Sequence, residues 1–272
     1  MSQILLLSDN VSKDYVERIV TGAAGPLDRS RYSLVARNVY GSDVQVSDLI
    51  DDQHVSGVIL TPPLSDLRPL LSLLESRKLP FVRIAPLLDL DRGSSVTMDE
   101  FTAANAIGKH LIENGHRKIG FIRGPKEHLV SIRRYNGFAG ALGGAGLKLD
   151  ENLMKVGDFS RQSGRELASS FFQSDATALF ASNDDMALGV MDAAQASGVS
   201  IPLDMSIVGF DDNREAARAN PGLTTVRQPL GAMGVRAAEL IIERCQGTNL
   251  SNVVEEIPFE LVKRGSVGQV EN

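Results

Sequence analysis

Ala178-Leu179-Phe180-Ala181-Ser182-Asn183-Asp184-Asp185-Met186-Ala187-Leu188-Gly189 decides the fold. Its first four residues are apolar throughout, too short a run for a helix, and read as a strand buried on both faces. A helix from Asp184 to Ser197 follows at once, with two carboxylates at its positive end and Gly198 as its stop. An all-apolar strand running straight into a helix is the repeating unit of a parallel sheet covered by helices.

The same unit recurs in both directions. Towards the C-terminus come strands at Ile207–Phe210 and Thr224–Val226, a helix from Met233 to Arg244 closed by Gly247, and a last extended segment from Val253 to Val262. Towards the N-terminus the spacing predicts a helix from Gln162 to Phe172, a strand at Met154–Val156 and a helix from Arg133 to Leu142, weakened by Gly143-Gly144. Ile119–Ile122 is a strand, preceded by a helix that Met98-Asp99 opens and Asn114-Gly115 stops. Strands at Phe81–Ile84, Gly57–Leu60, Tyr32–Ala36 and Ile4–Leu7 alternate with a leucine-rich helix from Leu67 to Glu75 and a helix from Lys13 to Ala24. That last helix carries Tyr15, Ile19, Val20 and Ala23 on one face and is expected to break at Gly25-Pro26. The 272 residues show no low-complexity linker, so two intertwined α/β halves fit better than two separate beads.

Composition narrows the function. Hydrophobic residues make up 43% and charged residues 23%, as in an ordinary globular chain. No apolar run approaches the roughly 18 residues that would cross a bilayer. The start, Met1 to Asp9, has no basic region of the kind that opens a signal peptide, and a cytoplasmic location is expected. Cys245 is the one cysteine, which excludes an intrachain disulfide and a cysteine-built zinc cage. A net charge of −6 gives no strong global attraction to nucleic-acid phosphate.

The chemistry points to binding. The sequence holds no Gly-x-Ser-x-Gly elbow, no His-Glu-x-x-His and no phosphate loop. His54, His110, His116 and His128 are scattered, so no metal and no cofactor are expected; His110 and His116, bracketing a helix end, read as capping. The glycines between Gly140 and Gly146 read as close helix packing or fraying. Asp184-Asp185 and Asp211-Asp212 each follow a strand and are expected to precede a helix, where they either cap it or face a ligand at the carboxyl end of the sheet. With Asn183 beside them, such a set suits hydroxyl groups, since Asn donates and accepts while Asp accepts twice. Without a nucleophile, metal or tuned histidine it argues against an enzyme.

Several segments, in order and spacing from about Val96 to Gly247, resemble the LacI/GalR family of bacterial transcription regulators. They are His110-Leu-Ile-Glu-Asn-Gly-His116-Arg-Lys-Ile-Gly-Phe-Ile122, Ser131-Ile-Arg-Arg134-Tyr-Asn-Gly137-Phe138, Gly157-Asp-Phe159-Ser, Ala181-Ser-Asn183-Asp-Asp-Met-Ala-Leu-Gly189, Ser206-Ile-Val-Gly-Phe210-Asp211-Asp212 and Leu223-Thr-Thr-Val-Arg-Gln-Pro229. The resemblance implies a periplasmic-binding-protein-like effector domain: two Rossmann-like subdomains with parallel sheets joined by three crossovers, a sugar-like effector held between them, and a homodimer acting as a repressor. The subdomains would be residues 1–111 with 230–255, and 112–229 with 256–272. Carried over residue by residue, Arg134, Asn183 and Asp211 would hold the effector, Phe159 would form an apolar wall, and Asp99 would add a second acid. Tyr15 and Arg123 fall at positions where the family usually has other residues, and are included as effector contacts. A solute-binding protein of a sugar transport system is the alternative.

Operator DNA is expected as a partner only through an N-terminal helix-turn-helix head. No such segment is recognisable here, which implies a truncated chain or an effector-only relative. Leu67, Leu70, Leu71 and Leu74 form one helical stripe, either for dimerisation or for packing on the chain's own sheet. Arg83 lies in an apolar strand and Arg123 ends one. If both faced the effector, it would carry a carboxylate or phosphate; the alternative is pairing with the protein's own carboxylates.

Overall fold

The structure, a computed structural model, describes residues 2–248 and 251–270. In chain order the first stretch runs β1 (Ser2–Ser8), α1 (Lys13–Asp28), β2 (Tyr32–Asn38), α2 (Val46–Ile50), β3 (Val55–Leu60), α3 (Arg68–Ser76), β4 (Phe81–Ile84) and β5 (Ser94–Thr97). The second runs α4 (Glu100–Glu113), β6 (Ile119–Arg123), α5 (Leu129–Gly144), β7 (Met154–Val156), α6 (Arg161–Phe172), β8 (Ala178–Ala181), α7 (Asp184–Ser197), β9 (Ser206–Val208) and β10 (Thr225–Arg227). The chain then forms α8 (Leu230–Gln246), β11 (Val254–Glu256) and β12 (Glu260–Val262).

Two compact units result: Met1–Met98 with Pro229–Pro258, and Asp99–Gln228 with Phe259–Asn272. The chain therefore passes between units three times. The first unit holds a parallel sheet in the order β11-β5-β4-β3-β1-β2. Strand alternation sorts its core: Ile4 and Leu6 of β1 pack with α1 and α8, while Leu5 and Leu7 pack with Leu70, Leu71 and Leu74 of α3. Those three leucines thus belong to the sheet's own core, and only Leu67 of the stripe is exposed, so the stripe is not a surface for a second chain.

The second unit holds a parallel sheet in the order β7-β6-β8-β9 and an antiparallel pair, β10-β12. α4 packs on α5, and α6 packs on α7. Phe121 of β6 stacks on Phe138 of α5 at 5.4 Å and meets Phe180 of β8 edge-on.

Three expectations need correction. The first boundary lies before α4, not at residue 111, because α4 packs on α5 at glycine-close range: a Cβ on Gly137 would lie 2.1 Å from the Phe101 carbonyl oxygen, and one on Gly108 would lie 2.5 Å from the Ala141 methyl. α1 does not break at Gly25-Pro26 but continues to Asp28, where fully buried Leu27 keeps its last turn on the core. The extended segment from Val253 to Val262 is two strands in different units, β11 on the large sheet and β12 against β10.

Candidate functional site

In the second unit β6 is flanked by β7 on one side and β8 on the other, so the chain winds outward in both directions from β6 and β8. The carboxyl ends of those two strands are where an open parallel sheet forms a crevice. Arg134, one turn into α5, sits there and is 4% exposed. A buried guanidinium needs its donors filled and its charge matched. Its Nε donates to Glu100 Oε2 at 2.7 Å, its Nη2 to Glu100 Oε1 at 3.3 Å, and its Nη1 to the Ser182 carbonyl at 2.6 Å. Asp211 Oδ1 lies 3.8 Å from Nη1, and the Phe210 ring lies 3.8 Å below the guanidinium carbon.

Asn183 caps α7: its Oδ1 accepts from the Met186 N–H, and its Nδ2 donates to the Phe159 carbonyl at 2.9 Å. That second bond fixes Phe159, whose φ of +68° is unusual for a side chain of its size. The Phe159 ring meets His128 edge-on at 5.2 Å.

The paired acids take different roles. Asp184 is fully buried, accepting from Thr225 Oγ1 at 2.6 Å and from the Asn213 N–H at 2.8 Å; burial still pushes its carboxyl up to about 7. Asp211 is bridged to β10 and accepts from Gln228 Nε2 at 2.5 Å; burial raises it well above the usual carboxylate range, against the pull of Arg134. Asp212 pairs with Arg227 and Arg264. No helix follows Asp211-Asp212, so the capping alternative fails for that pair: the next residues form turns that return to β10.

Asp99 caps α4 through the Thr102 N–H, one residue before Glu100. Arg123 ends β6, half-buried. The second unit thus brings Arg134, Asn183, Asp211, Phe159, Asp99 and Arg123 to one end of its sheet. Tyr15 is not among them: it belongs to the first unit, with its ring in the α1/α8 core. Arg83 is a fastening in the first unit, fully buried and donating to the carbonyls of Ser65, Leu88, Asp89 and Arg92 and pairing with Asp66, so it is no ligand anchor; it pairs with one of the protein's own carboxylates, inside the unit and not at the surface. His116 bonds Thr177 Oγ1 and the Gly268 carbonyl, which is a structural role. Among the described residues no group of His, Cys, Asp and Glu could hold a metal ion, and no helix is long and apolar enough to cross a membrane.

Residues 109–267 match the family described as periplasmic binding protein-like domain. The chain is 32% identical to the HTH-type transcriptional regulator CelR of Thermobifida fusca over 96% of this chain and 80% of that protein. It is 30% identical to the HTH-type transcriptional repressor PurR of Photobacterium profundum over the same shares. This chain belongs to the LacI family of transcription regulators. Among solved structures, a transcriptional regulator CelR–cellobiose complex superposes with a TM-score of 0.90 at 29% identity, over 98% of this chain and 84% of that one. Membership separates the chain from the transport proteins that share its fold.

Two residues of this LacI-family site escaped the sequence reading. Glu100, 2% exposed, is the principal partner of Arg134. Following Asp99 at a helix start, it reads as one more charge favouring the helix dipole, and nothing local tells that it turns inward. Gln228 lies within the Leu-Thr-Thr-Val-Arg-Gln-Pro segment, yet only the return of β10 beside Asp211 reveals its bond.

Proposed function

We propose that this chain is the effector-sensing part of a LacI-family repressor, binding a saccharide-like molecule at the carboxyl end of the second unit's sheet. The observation that carries the reading is Arg134, buried and held between Glu100, the Ser182 carbonyl and Asp211 at the strand ends where open sheets bind ligands. A guanidinium and a carboxylate fixed side by side offer a sugar hydroxyl both a donor and an acceptor. Phe159 supplies an apolar face for a pyranose or furanose ring. The related CelR structure, bound to cellobiose, supports a carbohydrate as the ligand class.

The regulator acts in the cytoplasm as a homodimer, since paired half-sites in operator DNA call for a two-fold protein. Binding changes the affinity of a helix-turn-helix region for its operator. Calorimetry against a sugar panel tests the reading. Asp211→Asn and Arg134→Ala, both checked as folded by circular dichroism, should lose about ten- to a hundred-fold in affinity, the worth of one charge-assisted hydrogen bond. Unchanged affinity in both folded variants overturns the site.

A further inference from the structure

α4, α6 and α7 each begin on a side-chain cap, from Asp99, Ser160 and Asn183. α5 has no side-chain cap and no acidic residue in its first turn, so its positive end is not offset by its own residues. Two polar groups at that end lack partners. Ser131, in the first turn, is wholly buried and its Oγ makes no hydrogen bond. Arg123 has no ion pair among the described residues, and its Nε is buried without an acceptor. The backbone just after Arg123 abuts Ser131: a Cβ on Gly124 would lie 2.6 Å from Ser131 Oγ and 2.1 Å from the Phe159 ring. Buried donors are rarely left unmatched, because each forfeits its bonds to water.

We infer that this end of α5 receives an anionic group of the effector, a carboxylate or a phosphate, with Arg123 supplying the charge and Ser131 a hydroxyl donor. The inference rests on the reading that the effector binds at this sheet end. Arg134 cannot supply the net positive charge, since Glu100 and Asp211 already face it. Arg123 has no such counter-ion, and the helix end adds its partial positive charge on the same side of the group.

Calorimetry on the whole chain tests this with glucose, ribose and cellobiose beside gluconate, glucose 6-phosphate and ribose 5-phosphate. The expected result is an acid or phosphate bound at least about tenfold tighter than its neutral parent. Arg123→Gln should erase that preference, costing the anionic ligand at least about tenfold more than its neutral parent. Because the Arg123 side chain makes no hydrogen bond or ion pair among the described residues, the variant should melt with the native chain. Gluconate against the two phosphates tells which anion is preferred. Neutral sugars bound without any preference for an anion, or an Arg123→Gln loss equal for both classes, overturn this inference alone. No binding by any of the six compounds overturns it together with the reading beneath it.

Discussion

Removing the Glu100 carboxylate tests whether Arg134 is held as described. In Glu100→Ala the guanidinium loses two acceptors, one at 2.7 Å and one at 3.3 Å, while its side chain is only 5% exposed. Breaking a buried pair by deleting one partner usually costs about 3–5 kcal/mol, since the surviving charge is left uncompensated. Here Asp211, 3.8 Å from Nη1, stays as a counter-charge, and the Ser182 carbonyl still accepts. The expected loss is therefore about 2–4 kcal/mol. The double variant Glu100→Ala/Arg134→Ala removes the orphaned charge as well, so its loss should fall short of the sum by about 1–3 kcal/mol. Urea unfolding followed by circular dichroism is the assay, as the chain has no tryptophan. A Glu100→Ala loss below about 0.5 kcal/mol, or strict additivity in the double variant, would show that Glu100 does not hold Arg134.

Three further outcomes follow from the same structure. Arg83→Met should cost roughly 2–4 kcal/mol by stranding the carbonyls it bonds, and amide exchange around Leu88–Arg92 should speed up; unchanged exchange there counts against the fastening role. Gly137→Ala should destabilise by about 1–3 kcal/mol, because its methyl would meet the Phe101 backbone at 2.1 Å and part α4 from α5, separating Glu100 from Arg134; a variant of native stability refutes that packing. For Asp184, burial lifts the folded carboxyl to about 7, above the ordinary aspartate value of about 3.9 in the unfolded chain, so between those pH values the folded chain keeps a proton that the unfolded chain has lost. Stability should therefore fall as pH rises through that window, by up to about 1.4 kcal/mol per unit. Thermal melts between pH 5 and 7 should show a shallower slope in Asp184→Asn, and equal slopes would refute the assignment.

The sequence by itself determined the alternating strands and helices, because runs such as Ile4–Leu7 and Ala178–Ala181 are apolar on both faces and only a sheet covered by helices buries both. It also singled out Arg134, Asn183 and Asp211 as candidates, through segments whose order and spacing resemble the LacI/GalR family. Tertiary structure alone decided what those residues touch. Arg134 and Glu100 are 34 positions apart, and Asp211 and Gln228 are 17 apart, so their pairing depends on packing of α4 on α5 and on the return of β10. The placement of α4 was likewise hidden, since a helix with apolar residues on one face fits either unit until Gly108 and Gly137 allow close approach to α5. Arg83 and Arg123 show the limit most plainly. Both are arginines at or near the carboxyl end of an apolar strand, yet the loop from Leu88 to Arg92 folds over the first and fills its donors, while among the described residues no group accepts a hydrogen bond from the buried Nε of the second. Whether a charge is satisfied depends on which distant carbonyls the fold brings within about 3 Å, and no local pattern of residues encodes that.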